Sequence, residues 1–202
     1  MWRERLGEKL TRGYFQLWSP TYDRSPLQLF LYRPVHRAVL AAAGRIDPPP
    51  RRVADLGCGT ARLTYDLARV YPESLVAGID VSSGMLTAAR RRLGCATPPL
   101  VQGNAYALPF GNSTMALVTS TIAFHWVVDP VAALKEVRRV LRPGGRFVLG
   151  TLVARLIPGT YFGMRLDSER GHHAHFAEAG LTLEAATPVG VNVVVFTARA
   201  GN

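Results

Sequence analysis

From Arg51 onward the apolar residues switch repeatedly between two periods. Val53–Leu56, Leu75–Ile79 (ending at Asp80), Leu100–Gln102, Met115–Thr121 and Phe147–Leu152 are short β-rich runs. Between them apolar positions recur at helical spacing: Leu63, Leu67 and Val70, then Met85, Leu86, Ala89 and Leu93, then Leu134, Val137 and Leu141. This alternation predicts parallel strands joined by crossover helices. The punctuation agrees. Ser82 suits an N-cap and Gly94 a C-terminal stop, while Asp129-Pro130 reads as a cap followed by proline at the first helical position. Pro143-Gly144-Gly145 should stop the helix before the fifth strand. Ser168–Ala179 predicts a further helix, and Leu181–Thr187 and Val191–Arg199 two closing strands. Pro188-Val189-Gly190 is too short for a crossover, so those two should pair antiparallel. The expected fold is α/β, a seven-stranded mostly parallel sheet with an antiparallel C-terminal strand and helices on both faces.

Residues 1–50 form a helical preamble to residues 51–202, the two making one compact domain. Trp2, Leu6, Leu10, Tyr14 and Trp18 recur at every fourth position, with Arg3, Arg5, Lys9 and Arg12 on other faces. Such a basic amphipathic stripe can lie on a membrane surface as a peripheral contact, or pack on its own domain, which is the preferred reading. Pro48-Pro49-Pro50 is a stiff spacer into the sheet.

Composition narrows the class. The 202 residues are 48% hydrophobic and 19% charged, a globular balance. No run approaches the ~18 apolar residues of a membrane span, and charges from Arg3 to Arg12 interrupt any secretion signal. Cys58 and Cys95 are too few for a disulfide framework. The expectation is a cytoplasmic protein. The net charge of +10 raises nucleic acid as a partner. It is nearly all arginine, scattered along the chain, and two clusters (Arg90–Arg92 and Arg138-Arg139) fall late in helices, where cations complement the dipole. Nucleic acid is therefore not the expected partner.

The segment with the sharpest chemistry is VADLGCGTARL, Val53 to Leu63: a buried strand, a small-residue turn, then a helix. Gly57 and Gly59 allow a ligand to approach the backbone where a β-carbon would block it, at the carboxyl end of the first strand, where open α/β sheets bind ligands. A dinucleotide site would need glycine or alanine where Arg62 stands, which points to a ligand without a diphosphate. Asp80, at the tip of the second strand, can accept from a ribose hydroxyl pair.

At this point the chain resembles the class I S-adenosylmethionine (SAM)-dependent methyltransferases, a Rossmann-like family. It is most similar to the branch of the ubiquinone and menaquinone C-methyltransferases and the biotin-pathway malonyl-carrier methyltransferase. Besides the glycine turn, the resemblance rests on GIDVSSGML (Gly78–Leu86), QGNAYALPF (Gln102–Phe110) and FHWVVDPVAALKEVRRVLRPGGRFVLG (Phe124–Gly150). It implies SAM as cofactor, S-adenosylhomocysteine (SAH) as product, and a set of roles. Asp55 would face the methionine amino group, helped by the backbone of Gly57, Cys58 and Gly59. Asp80 would hold the ribose, Val81 and Met85 would sandwich the adenine, and Asn104 and Ala105 would read its edge. The family often has Asp where Asn104 stands, but an amide oxygen also accepts. Backbone at Ser120-Thr121 would complete the methionine pocket, and Tyr22 would approach the cofactor from the preceding segment.

His125-Trp126 follows the fourth strand on the side where an acceptor enters. His125 is the candidate catalytic base; the alternative is that it only shapes the pocket wall. His172, His173 and His175 lie on a predicted helix without a second ligand cluster, so a solvated helix face is expected there and no metal. Cys58 itself reads as a small packing residue. Val153–Asp167, short and apolar, is expected to join the N-terminal helix in forming the acceptor pocket, which would favour a small or lipid-like acceptor. RNA or protein methylation, and a SAM-binding regulator without turnover, are the alternatives.

Overall fold

The computed structural model describes residues 13, 16, 22–26, 28–155, 159–161 and 164–201. The stripe from Trp2 to Trp18 lies outside the described residues, Gly13 and Gln16 apart. Nine strands are described: β1 Arg52–Leu56, β2 Leu75–Asp80, β3 Leu100–Gln102, β4 Met115–Thr121, β5 Leu141–Leu152, β6 Gly159–Tyr161, β7 Met164–Leu166, β8 Leu181–Val189 and β9 Val193–Ala200. The helices are α1 Arg33–Ala43, α2 Arg62–Val70, α3 Ser83–Leu93, α4 Pro130–Val140 and α5 Glu169–Glu178. Short helical turns occupy Tyr22–Arg24, Gln28–Tyr32, Gly94–Ala96 and Phe124–Trp126.

Seven strands form one sheet in the order β3-β2-β1-β4-β5-β9-β8. β1 to β5 pair in parallel, and β9 runs antiparallel to both β5 and β8. The order reverses at β1, where strands diverge to β2 on one side and β4 on the other. That divergence opens a crevice at their carboxyl ends.

Both sheet faces are covered, which explains why β4 is buried along its whole length. On one face Val35 and Val39 of α1 and Leu63 and Leu67 of α2 pack against Val53, Leu117 and Val148. On the other, Leu134 and Val137 of α4 and Phe176 of α5 pack against Val118, Phe147 and Phe196. Truncating a fully buried phenylalanine such as Phe147 or Phe196 to alanine costs about 3–5 kcal/mol. α1 shares the core of the strands, so residues 33–43 are part of the same body as the sheet.

The local signals act as read. Ser82 Oγ accepts from the Met85 N–H at 3.3 Å, Gly94 ends α3 at φ +55°, and Asp129 Oδ1 accepts from the Ala132 N–H at 2.9 Å with Pro130 opening α4. Each such cap contributes about 1 kcal/mol. Three readings change. Val70 is 46% exposed, and Thr64, hydrogen-bonded within the core, takes its place on the buried face of α2. β5 begins at Leu141, directly after α4, so Pro143-Gly144-Gly145 bends a strand rather than stopping a helix. Val153–Asp167 carries a small antiparallel hairpin, β6 with β7, which periodicity over so few residues could not disclose.

Candidate functional site

A cavity open to solvent lies at the carboxyl ends of β1, β2 and β4. Its floor is the glycine turn. Gly57 sits at φ +70°, and a β-carbon there would lie 2.4 Å from Ala123 Cβ; Gly59 sits at φ +54°. Both need glycine, one for space and conformation, the other for conformation. The turn consumes its own donors. The Gly57 and Cys58 N–H groups both donate to the Ile79 carbonyl, at 2.8 and 3.0 Å, and the Ala61 N–H to the Cys58 carbonyl at 2.8 Å. The Gly59 N–H donates to Asp80 Oδ2 at 2.8 Å. These four groups are therefore not offered to a phosphate.

Asp80 lines the cavity with its carboxylate fixed from both sides, since the Ser82 N–H donates to Oδ1 at 2.8 Å. Burial raises its pKa, and the backbone donors work against that rise. Each oxygen retains a lone pair for a hydroxyl in the cavity. Asp55 behaves differently. Its oxygens accept from Thr64 Oγ1 at 2.6 Å and Thr119 Oγ1 at 2.9 Å. It is 2% exposed and absent from the cavity wall. Burial lifts its pKa to about 6. In this structure the Asp55 side chain ties β1 to α2 and β4 beneath the turn. Cys58 also lies off the cavity. A β-carbon on Gly78 would meet its sulfur at 2.8 Å, so the thiol packs into the space that glycine leaves, and burial raises its pKa well above the ordinary value.

The other cofactor candidates converge. Tyr22, Val81, Met85, Asn104, Ala105 and Thr121 all line the cavity. Asn104 Oδ1 accepts from the Tyr106 N–H at 2.9 Å, which fixes the amide. Tyr22 is held by a network that sequence reading missed. Its neighbour Asp23 accepts from Thr60 Oγ1 at 2.8 Å and Arg62 Nε at 2.9 Å, and Arg92 Nε stands 3.6 Å away. Arg62 thus replaces the glycine of a dinucleotide turn with an anchor for the segment before β1. The partners lie 37 and 39 positions apart, beyond any local pattern.

Ile122, another cavity residue, was also missed. It adopts φ +49°, a conformation that costs a β-branched residue about 1–3 kcal/mol. Its N–H is held by the Gly150 carbonyl at 2.8 Å. The kink turns the chain out of β4 into Phe124–Trp126, bringing Phe124 and Trp126 onto the cavity wall.

His125, between them, points elsewhere. It is 5% exposed, is not part of the wall, and burial lowers its pKa to about 4. The reading of His172 is corrected: it is 5% exposed, not solvated, packing 5.2 Å from the Phe196 ring, with its pKa also lowered to about 4 by burial. Nor do the described residues of Val153–Asp167 line the cavity. Among the described residues no group of three or more His, Cys, Asp or Glu side chains is placed to hold a metal.

A doubly wound parallel sheet with a reversal at β1, a donor-poor glycine turn and an acidic residue at the tip of β2 defines a Rossmann-like nucleoside-binding domain. Residues 54–149, just under half of the chain, match the family described as the methyltransferase domain. Over 122 residues the chain is 38% identical to a malonyl-[acyl-carrier protein] O-methyltransferase of Methylococcus capsulatus, covering 60% of this chain and 44% of that protein. Over 106 residues it is 42% identical to a demethylmenaquinone methyltransferase of Symbiobacterium thermophilum, covering 50% and 42%. The chain therefore spans less than half the length of these two relatives. A SAM-dependent methyltransferase from Aquifex aeolicus shares the fold, with a TM-score of 0.71 at 21% identity over 87% of this chain and 94% of that one. No described helix is long and apolar enough to cross a membrane.

Proposed function

We propose that the chain is a SAM-dependent methyltransferase acting on a small-molecule or lipid-like acceptor. The observation that carries the reading is the glycine turn, whose N–H groups are engaged internally while the Asp80 carboxylate borders the cavity. A dinucleotide asks the turn to donate to a diphosphate; an adenosine with a sulfonium side chain asks only for close approach and a carboxylate for its ribose. Gly57 and Gly59 allow the approach, Asp80 takes the hydroxyls, and Val81, Met85 and Ala105 supply apolar contacts for a flat base.

When bound, SAM supplies an electrophilic methyl carbon whose leaving group is a neutral thioether. The chain's part is to hold that carbon in line with the acceptor's nucleophilic atom and to exclude water. Phe124, Trp126 and Val127 line the cavity beyond Thr121, an apolar wall suited to a greasy acceptor. In this reading residues 51–202 provide the cofactor half, and Tyr22 of the preceding segment borders it.

Titration calorimetry tests the cofactor. SAM and SAH should bind in the micromolar range or tighter, and NAD and NADP should give no heat. Comparable dinucleotide binding would overturn the reading. Incubating a cell extract with methyl-labelled SAM then identifies the acceptor by the label it gains.

A further inference from the structure

The stretch from Gly103 to Thr114, between β3 and β4, lies outside the strands and helices, yet Gly103, Asn104, Ala105 and Tyr106 line the cavity. An irregular segment has no ladder of its own, so its backbone groups must find partners elsewhere. Much of this loop finds them on α4.

The Leu108 N–H donates to Glu136 Oε1 at 2.7 Å. Arg139 grips the same carboxylate with two bonds of 2.7 Å, Nε to Oε2 and Nη2 to Oε1. Its other donors go to the loop: Nη2 to the Leu108 carbonyl at 3.2 Å, and Nη1 to the Phe110 carbonyl at 3.0 Å and Asn112 Oδ1 at 2.7 Å. All five N–H donors of the guanidinium are thereby used. At the start of α4 the Asp129 N–H donates to Tyr106 Oη at 3.0 Å. The helix is a firm support, since Ala133, Leu134, Val137 and Val140 are all buried in the core.

The grip reaches the cavity in two short steps. The Tyr106 N–H donates to Asn104 Oδ1 at 2.9 Å, and Leu108 is buried in the same core as Leu134 and Val137. Asn104 is therefore tied to the first turn of α4 through Tyr106 and to its later turns through Leu108. Glu136 and Arg139 do not themselves line the cavity. An ion pair between exposed residues three apart on a helix contributes little; this one differs because both partners also hold backbone of a neighbouring loop.

We propose that Glu136 and Arg139 are positioning residues for the cofactor's base, holding the 104–106 segment so that it selects adenine over a base with other edge chemistry. The proposal rests on the methyltransferase reading above and deepens it. Asn104 Oδ1 retains a lone pair for an exocyclic amine, and such a contact discriminates only when held within about 0.5 Å of its working place. A base that presents an acceptor oxygen there would leave two acceptors facing each other.

Calorimetry on the full chain compares SAH with its deaminated analogue S-inosylhomocysteine, in which a carbonyl oxygen replaces the amine. The wild-type chain should favour SAH at least tenfold. Arg139→Ala removes the clamp, and Glu136→Gln turns an N–H toward the guanidinium; each should bring the ratio to within about threefold. Arg138→Ala, adjacent on α4 but bonded to the Gly201 carbonyl at 3.2 Å, should leave the ratio as it is and controls for lost helix stability. A merely structural clamp would lower the melting temperature and weaken both ligands equally. If Arg139→Ala fails to fold, Glu136→Gln decides. A ratio that survives in the folded variants, or a wild-type chain that binds both ligands equally, would overturn the inference. A wild-type chain that ignores SAH sinks the proposed function itself, whereas one that binds SAH with a ratio indifferent to Glu136 and Arg139 sinks this inference alone.

Discussion

Along the carboxyl ends of β1 and β2, every buried polar side chain has found a partner within the protein. Asp55 is held by two threonine hydroxyls, Asp80 by two backbone N–H groups, and Thr60 by Asp23. Across the crevice, along the ends of β4 and β5 and on α5, the hydroxyls of Ser120, Thr121 and Thr151, His125 Nδ1 and His172 Nε2 have none. Each unpartnered group costs about 1–3 kcal/mol of desolvation. One half of the edge is finished before any ligand arrives; the other is left open.

The contrast can be broken from either side. The largest effect belongs to the finished half. Gly57→Ala forces a β-carbon to 2.4 Å from Ala123 Cβ at a φ of +70°, and strain plus overpacking should cost about 2–4 kcal/mol of stability. Denaturant midpoints would show it, and calorimetry should show SAM binding lost. A variant as stable and as tight as wild type would mean that the turn is not rigid. Next comes Asp80→Asn, which removes a charged acceptor and one of two backbone partners. SAM affinity should fall about ten- to a hundredfold, or roughly 1.5–3 kcal/mol. An unchanged dissociation constant would reduce Asp80 to a strand-end residue.

Smaller effects test the open half. His125, His172 and also His36 have pKa values lowered to about 4, against 6.5 when unfolded. The folded chain therefore binds fewer protons between pH 6.5 and 4, and stability is full above 6.5 and lost as pH falls toward 4. Asp55, raised to about 6 by burial, works in the opposite sense over part of that window. The three imidazoles outweigh it, each contributing on the order of 2–3 kcal/mol. Thermal melts from pH 7 to 4.5 should show the fall, and His172→Phe should reduce its slope by roughly a third. A slope untouched by that change would mean that His172 is charged in the folded chain. The smallest expected effect concerns rate. With its pKa near 4, His125 is neutral from pH 6 to 8 and contributes no pH-dependent limb there. Once the acceptor is known, His125→Gln should alter the maximal rate by less than about threefold. A loss of 10²-fold or more in maximal rate would restore the base role.

The same division governs how much could be read from the sequence. Gly57, Gly59, Asp80, Val81 and Met85 lie within one β-α-β stretch, so spacing and turn chemistry disclose them together. So do the caps Ser82 and Asp129, because a cap acts on N–H groups two or three residues away. The open half has no such locality. Its unpartnered atoms belong to residues 120, 125, 151 and 172, spread over two strands, a turn and a helix. Read locally, His172 belonged to a run of histidines on a helix with little amphipathic contrast, and only packing against Phe196 shows that it faces inward. The partners of Asp55 were hidden for a related reason: Thr64 and Thr119, which hold its oxygens, lie 9 and 64 positions away.

The place of β9 between β5 and β8 also has a consequence for how the chain is made. β8 precedes β9 in the sequence, yet it reaches the sheet only by pairing with β9. As the polypeptide leaves the ribosome, β5 therefore waits with an unpaired edge, and β8 has nothing to join. That edge includes Phe147, Val148 and Leu149, all fully buried once β9 is seated. Exposed apolar edges of this kind recruit other chains. A stop codon after Leu152 and before Val193 should therefore yield an aggregating sheet, because the strand that closes β5 would never be synthesised.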